Sequence, residues 1–269
     1  MRCTQLSGLS LTAVAVVVAA VGCSSSTHAS STHAPTSPVA AAGSTAGAAT
    51  PASPAATSPG STGTSTAPSQ PGGGYQLTPA VTALHVNAPV ASIDVTAQDG
   101  AAAVSVREQL HGGASTTHAV TGSSATLTAH CPAGISFSVC RVDYTVTMPA
   151  RVALTVDGSA GDVTLTGPLT TVTISTDAGK VNGTALGAGT DQVTTSAGTV
   201  SLAFAKPPNS VTVKSDVGQV NLTVPGSTSY AVTTDTTIGE QHVEVDRNNS
   251  SPHRINVSTT VGSITISRG

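Results

Sequence analysis

The sequence contains no tryptophan, and aromatic residues make up only 2% of it. Charged residues are also scarce, at 9%, and the formal net charge at pH 7 is −3. The 10 lysines and arginines are scattered singly along the chain. A nucleic-acid-binding protein needs a cluster of basic side chains to neutralise phosphates. We therefore expect no nucleic-acid partner. The abundant residues are Ala, Ser, Thr, Gly and Val, which suit flexible linkers and β-strands.

Recognisable catalytic motifs are missing as well. The sequence has no G-x-S-x-G nucleophile elbow, no phosphate-binding loop and no glycine–aspartate calcium repeat. Glutamate occurs only at Glu108, Glu240 and Glu244. The sequence therefore offers few candidates for the pair of carboxylates that glycoside hydrolysis requires. Sugar sites also favour aromatic platforms, which this composition lacks. We expect a protein that is not an enzyme, with no catalytic residue, no cofactor and no metal.

The N-terminus has the features of an export signal. Arg2 is followed by the uncharged, apolar run Leu9–Val21. This run is shorter than the roughly 20 residues that span a membrane, and it fits a signal-peptide core. It ends in Ala-Val-Gly-Cys at 20–23, which resembles the bacterial lipobox except that leucine is usual at Ala20. We predict a lipoprotein signal peptide at 1–22 and lipidation of Cys23, with an ordinary secretory signal as the alternative.

A low-complexity stretch follows the signal. Positions 24–74 are almost entirely Ser, Thr, Ala, Pro and Gly and contain no charged residue. Such a composition buries too little apolar surface to offset the entropy of ordering. We predict a disordered tether over 23–74, which would hold the residues beyond it away from the outer face of the cell membrane.

Two cysteines remain once Cys3 leaves with the signal and Cys23 carries lipid, namely Cys131 and Cys140. An even pair in an oxidising compartment predicts a disulfide. The alternative is a metal site that includes His130, but two cysteines and one histidine are an incomplete zinc set.

The residues from 75 onward alternate apolar and polar side chains, as in Leu84-His-Val86 and Val104-Ser-Val106. This period of two, with many β-branched residues, predicts strands, and no segment shows a convincing helical period. We therefore assign 75–269 to one all-β domain, whose N-terminal part is the less regular.

Six glycines recur in like surroundings at intervals of 18 to 23 residues; they are Gly161, Gly179, Gly198, Gly218, Gly239 and Gly262. The positions five before, two after and four after each glycine are apolar in five of six repeats. The position immediately before the glycine is aliphatic in every repeat, so we expect it to face inward too.

The inward positions change parity at the glycine, whereas a continuous strand keeps one parity. The chain must therefore turn at each glycine, which tolerates the backbone of such a corner. A strand, a corner and a strand repeated every 20 residues or so predict a β solenoid; a β-sandwich of hairpins is the alternative. Ser, Thr or Asp stands two residues before each glycine. This column is interpreted as a row of hydrogen-bonded turns, or alternatively as a stripe for cations.

Two stretches carry the repeat in full, Val211–Leu222 and Ile255–Ile266. Their pattern, V-x-V/T-x-S-x-x-G-x-V-x-L, resembles the bacterial "putative adhesin" domain family, a family of unknown function with repeated β-strands. The stretch Tyr144–Pro149 resembles it too, and the likeness extends over about 81–266. The resemblance implies a surface-adhesion role and carries over no functional residue.

Together these observations indicate a lipid-anchored envelope protein that displays a β-repeat surface. Its candidate partners are a cell-wall polymer, an envelope protein or another copy of itself. The last repeat ends at Ile266, close to the C-terminus, so we expect that repeat to form an open edge that can pair with another strand. The alternatives are a degenerate carbohydrate-active solenoid and a purely structural spacer.

Overall fold

The computed structural model describes residues 65–68, 73–78, 80–134 and 139–269. Within them there are strands and no helix, so the all-β class is confirmed. None of the described residues forms a helix that could cross a membrane. The seventeen strands are β1 (Ser65–Pro68), β2 (Gly74–Gln76), β3 (Ala83–Gln98), β4 (Ser105–His111), β5 (Ser115–Thr121), β6 (Ser124–His130), β7 (Arg141–Pro149), β8 (Ala153–Ala160), β9 (Val163–Thr166), β10 (Thr171–Leu186), β11 (Thr190–Phe204), β12 (Ser210–Val217), β13 (Val220–Val224), β14 (Ala231–Ile238), β15 (Gln241–Val243), β16 (Arg254–Val261) and β17 (Ile264–Arg268).

The strands pair into two ladders. The first ladder, before the glycine corners, runs β1, β5, β6, β3, β8, β10, β11, β12, β16, β14. The second ladder, after the corners, runs β2, β4, β7, β3, β9, β10, β11, β13, β17, β15. The long strands β3, β10 and β11 bend through the corner and belong to both ladders. The pairs β1–β5, β5–β6, β2–β4 and β4–β7 are antiparallel. Every other pair in the two ladders is parallel.

The N-terminal strands begin inside the stretch that the sequence predicted to be a tether. Strand β1 at Ser65–Pro68 pairs antiparallel with β5, and β2 begins at Gly74. A short segment without charged residues can therefore join the sheet when a neighbouring strand offers free backbone groups. Residues 1–64, which include the predicted signal, Cys23 and most of the tether, lie outside the described residues.

The apolar columns read from the repeat lie between the two ladders. Ile174 is in register with Val156 on one side and Val193 on the other, and all three are buried. Val213 and Val257 continue the column in register and are also buried. β-branched side chains stack well in this way because they fit the pleated surface of a sheet. These stacked aliphatic columns form the core of the repeat region.

One column differs from the sequence prediction. The residues immediately before the glycines were expected to face inward, but Val217 is 52% exposed, Val261 38% and Ile238 63%. The inward position is instead three residues before the glycine, as at Thr195, which is buried. The register of the first ladder skips the residue two before the glycine, and the residue after it pairs again with its side chain outward, so that Ser196 and Ala197 are both exposed.

The order of the last two repeats also differs from the prediction. Strand β16 pairs with both β12 and β14, and β17 with both β13 and β15. The final repeat of the chain therefore lies inside the stack, and β14 with β15 forms its end. The physical reason is visible in the columns: Thr234 and Gln241 occupy core positions in β14 and β15, whereas Val257 and Ile264 occupy them in the final repeat. The more apolar repeat is buried on both sides.

Candidate functional site: the open end of the ladders

Strands β14 and β15, which we call the open end, each pair with one neighbour only. Strand β14 pairs with β16 and β15 with β17, and no other described strand lies beyond them. Their two core-position polar side chains satisfy each other, because Thr234 donates a hydrogen bond to Oε1 of Gln241 at 2.6 Å. The open end thus combines a free backbone edge with an exposed, hydrogen-bonded pair of polar side chains.

Part of this edge is already occupied by the chain itself. The backbone N–H of Tyr230 donates to the carbonyl of Asp246 at 2.8 Å, and Asn248 N–H donates to the carbonyl of Tyr230 at 2.9 Å. Tyr230 and Arg247 therefore form a parallel bridge. The segment then turns back, with Ser251 N–H donating to the carbonyl of Asn248. The backbone of β14 beyond Tyr230 is left without this cover.

Tyr230 itself anchors the start of β14. Its side chain is fully buried, and its hydroxyl donates to the carbonyl of Pro225 at 2.9 Å. Burial raises the pKa of the Tyr230 hydroxyl, so it stays protonated as a donor. This fixed tyrosine sets the position of the edge relative to the core.

A concavity of about 750 Å³ borders this edge; its lining residues are Ala231, Val232, Thr233, Thr234, Gln241, Arg247, Asn249 and Arg254. We call it the arginine groove. The lining contains two arginines and no carboxylate. Neither Arg247 nor Arg254 takes part in an ion pair among the described residues.

An exposed aliphatic row runs across the corner side of the same end. Val217, Val261 and Ile238 are in register on neighbouring strands β12, β16 and β14. Three of the four exposed large hydrophobic residues in the described part of the chain belong to this row. Single exposed aliphatic residues are ordinary, but a contiguous set beside a free edge is typical of a contact surface.

The six corner glycines form a column of their own. Each has a positive φ, and a Cβ on Gly198, whose φ is +150°, would lie 1.8 Å from the carbonyl oxygen of Gly179. The same close approach connects Gly239 to Gly262 and Gly262 to Gly218. Only glycine fits such stacked corners. Gly239 ends the column at the open end, which again makes β14 and β15 the terminal repeat.

The column two residues before the glycines lies exposed on the corner. Its two aspartates, Asp177 and Asp216, are separated by the strand that carries Ser196, and all three side chains are exposed. No group of three or more histidine, cysteine, aspartate or glutamate side chains that could hold a metal occurs in the described residues.

The cysteine prediction is confirmed. Cys131 and Cys140 form a disulfide, with their Cα atoms 5.9 Å apart. It closes the loop that leads from β6 to the start of β7. Beside it, His130 is exposed. The disulfide stabilises the N-terminal hairpins and lies away from the open end.

Three histidines lie beside carboxylates. The Nε2 atom of His85 is 2.6 Å from Asp157, that of His111 is 2.9 Å from Asp143, and that of His242 is 2.8 Å from Glu244. No local sequence pattern indicates the first two pairs, because the partners are far apart in the chain. Each pair is partly exposed.

A buried carboxylate joins the N-terminal hairpins. Glu108 accepts hydrogen bonds from the hydroxyls of Tyr75 and Thr116, both at 2.5 Å. The neighbouring hydroxyl of Tyr144 is buried without a hydrogen-bond partner. Burial, with a further contribution from the charge of Glu108, raises the pKa of Tyr144 well above its usual range. Because the group ties β2, β4 and β5 together, its arrangement suits a structural role.

Asp191 is a buried carboxyl group that was not among the residues predicted from the sequence. This residue is 2% exposed on β11, in register with Val172 and Val211, and neither carboxylate oxygen has a hydrogen-bond partner. Burial raises the pKa of Asp191 to about 7. The signal was available: seven residues before the repeat glycine stand Leu154, Val172, Asp191, Val211, Val232 and Ile255. A charged residue interrupts an otherwise aliphatic column.

Comparison with solved structures gives distant matches. A putative cell adhesion protein from Clostridium sporogenes ATCC 15579 is 12% identical, with a TM-score of 0.43, over 77% of this chain and 99% of that one. A putative adhesin from Bacteroides fragilis NCTC 9343 is 16% identical, with a TM-score of 0.31, over 78% and 98%. A putative lipid binding protein from Parabacteroides distasonis ATCC 8503 is 14% identical, with a TM-score of 0.29, over 74% and 97%.

No curated protein matched the sequence. The family comparison gave a positive result for a part of the chain that includes Cys140 and all six corner glycines. The resemblance expected from the repeat motifs is thereby confirmed. Residues 134–267 match the Toastrack DUF4097 family.

Proposed function

We propose that the protein is a lipid-anchored envelope protein whose β domain is a non-enzymatic, adhesin-like interaction module. In this proposal the two ladders are the walls of a β solenoid, and the open end is its contact surface. The lipid on Cys23 would hold the domain at the outer face of the cell membrane, and the tether would let the open end reach an envelope partner.

The observation that carries the proposal is the composition of the open end. A free strand edge, which can accept another strand, lies beside an exposed aliphatic row that ends at Ile238. Folded proteins usually blunt such edges or cover them. A partner that covers both the backbone edge and the row would bury surface that is now exposed to water.

The carbohydrate-active alternative receives no comparable support. A glycosidase needs two carboxylates about 5–10 Å apart in one groove. Each of five concavities on the described surface contains at most one carboxylate: Asp99, Asp157 and Asp235 line three of them, and two have none. The structural-spacer alternative predicts that no surface variant alters binding.

The test uses beads that carry residues 23–269 coupled through Cys23, which imitates the proposed anchor. We expect such beads to bind isolated envelope material, and the variant Ile238→Lys to reduce binding several-fold. Ile238 is 63% exposed, so the substitution should not disturb the core. The matched control is Val139→Lys, because Val139 is 56% exposed beside the disulfide and far from the open end in the strand order. Equal binding by both variants and the original chain would refute the open end as the contact surface.

A further inference from the structure

We propose that the arginine groove binds an acidic peptide segment in extended conformation, added as a further strand beside β14. This inference rests on the proposed function, since it names the chemistry of the partner at the open end. It is carried by three independent features: the backbone geometry of β14, the two arginines, and the polar lining.

The alternating direction of the backbone groups along β14 determines which of its residues can hydrogen-bond to an added strand. Ala231 directs its N–H toward β16, where it donates to the carbonyl of His253 at 2.8 Å. Tyr230, one residue earlier, directs both its N–H and its carbonyl the opposite way, to Asp246 and Asn248. Because the direction alternates along a strand, Val232, Thr234 and Thr236 present their backbone groups outward. The contacts of Tyr230 already have the pattern of an added parallel strand, which stops after one residue pair.

The charges of the groove select the occupant. Among the described arginines, Arg141 pairs with Asp143 and Arg268 with Asp246. Arg247 and Arg254 are exposed and unpaired, and no carboxylate lines the groove. A guanidinium binds a carboxylate through directed, charge-assisted hydrogen bonds. A segment with acidic side chains would supply carboxylate partners for Arg247 and Arg254, which the groove itself does not contain.

The same features exclude other occupants. The chain's own residues 24–74 contain no charged side chain, so they cannot pair with the arginines. The lining residues are mostly threonine, glutamine, asparagine and arginine, which suits neither a lipid tail nor an apolar helix. No aromatic side chain lines the groove, so a neutral sugar would find no stacking platform.

The test measures binding of a labelled decapeptide of alternating glutamate and threonine to the folded chain by fluorescence anisotropy. We expect saturable binding that weakens with added salt, and no binding of the matched lysine–threonine peptide. Arg247→Gln and Arg254→Gln should each weaken binding roughly fivefold, the upper end for exposed ion pairs, and Arg151→Gln should leave it unchanged. Arg151 is the matched control because it is exposed and lines a different concavity.

The strand-addition step has its own readout. A version of the acidic peptide that is N-methylated at alternate residues, so that one edge lacks donors, should lose binding. Equal binding of both versions would overturn strand addition. Binding of polygalacturonate but not of the peptide would replace the peptide with an acidic glycan and overturn the inference. Failure of the acidic peptide while Ile238→Lys still reduces bead binding would overturn the inference alone and leave the proposed function intact.

Discussion

Asp191 places a carboxyl group in an aliphatic column, and its replacement should stabilise the protein in a pH-dependent way. In the unfolded chain this carboxyl has a pKa of 3.8, and burial raises the pKa in the folded protein to about 7. The folded state therefore holds the proton more tightly than the unfolded state. Below about pH 4 the carboxyl is protonated in both states and does not lower the free energy of unfolding. Between about pH 4 and pH 7 the free energy of unfolding declines as the pH rises, and above about pH 7 the destabilisation is complete.

The magnitude follows from the pKa difference. A shift of roughly three units corresponds to about 4 kcal/mol of folding free energy at pH 8. Asp191→Val removes this penalty and matches the register neighbours Val172 and Val211, which are both buried. We expect the variant to be more stable by about 4 kcal/mol or more at pH 8, and its advantage to shrink by about 4 kcal/mol by pH 4.

Urea denaturation of both proteins between pH 4 and pH 8 measures the difference directly, and contributions from other titrating groups cancel in it. Asp191→Asn should also remove the pH dependence but should gain less, because an amide without partners remains buried. Asp177→Asn is the control, since Asp177 is exposed on the corner. A stability difference between Asp191→Val and the original chain that is constant across this range would refute the reasoning.

Three further changes test the rest of the structure. Gly198→Ala should destabilise the protein by about 2–5 kcal/mol, from overpacking and backbone strain, because its Cβ would meet a carbonyl oxygen at 1.8 Å; Gly100→Ala, with nothing within 4 Å, should be almost neutral in the same urea titrations. Cys131→Ala with Cys140→Ala should cost about 2.5–3 kcal/mol in the chain-entropy account, and an unchanged denaturation midpoint would contradict it. Mass spectrometry of membranes should find a diacylglyceryl peptide that begins at Cys23 and is absent from Cys23→Ala; an unmodified soluble protein would refute the anchor.

Much of the fold could be predicted from the sequence because the repeat constrains it locally. The period of two predicts strands, and the aligned columns at Ile174 and Val193 indicate which side chains stack. The exposed row was mispredicted for a physical reason: an aliphatic side chain next to a corner can point either way, and parity alone does not tell where the bend begins. The corner takes up two residues before the glycine as well as the glycine itself.

The features of the site that sequence reasoning could not supply depend on contacts between distant residues. The arginine groove needs Arg247 from a loop and Arg254 from β16 to lie beside β14, which follows only from the pairing of β16 with β14. The His85–Asp157 contact likewise depends on β3 lying next to β8. Nothing in the local pattern of either residue specifies these neighbours.

The order of the last two repeats explains why the contact surface is where it is. If stacking followed chain order, Thr234 and Gln241 would lie between two apolar repeats, where the amide donors of Gln241, which the bond from Thr234 does not satisfy, would be buried at a cost of about 1–3 kcal/mol. Because the final repeat lies next to β12 and β13, Val257 and Ile264 complete the buried columns. Thr234 then bonds to Gln241 at the exposed end of the stack. The polar repeat is thereby displaced to the end of the stack, and its strands become the edge available to a partner.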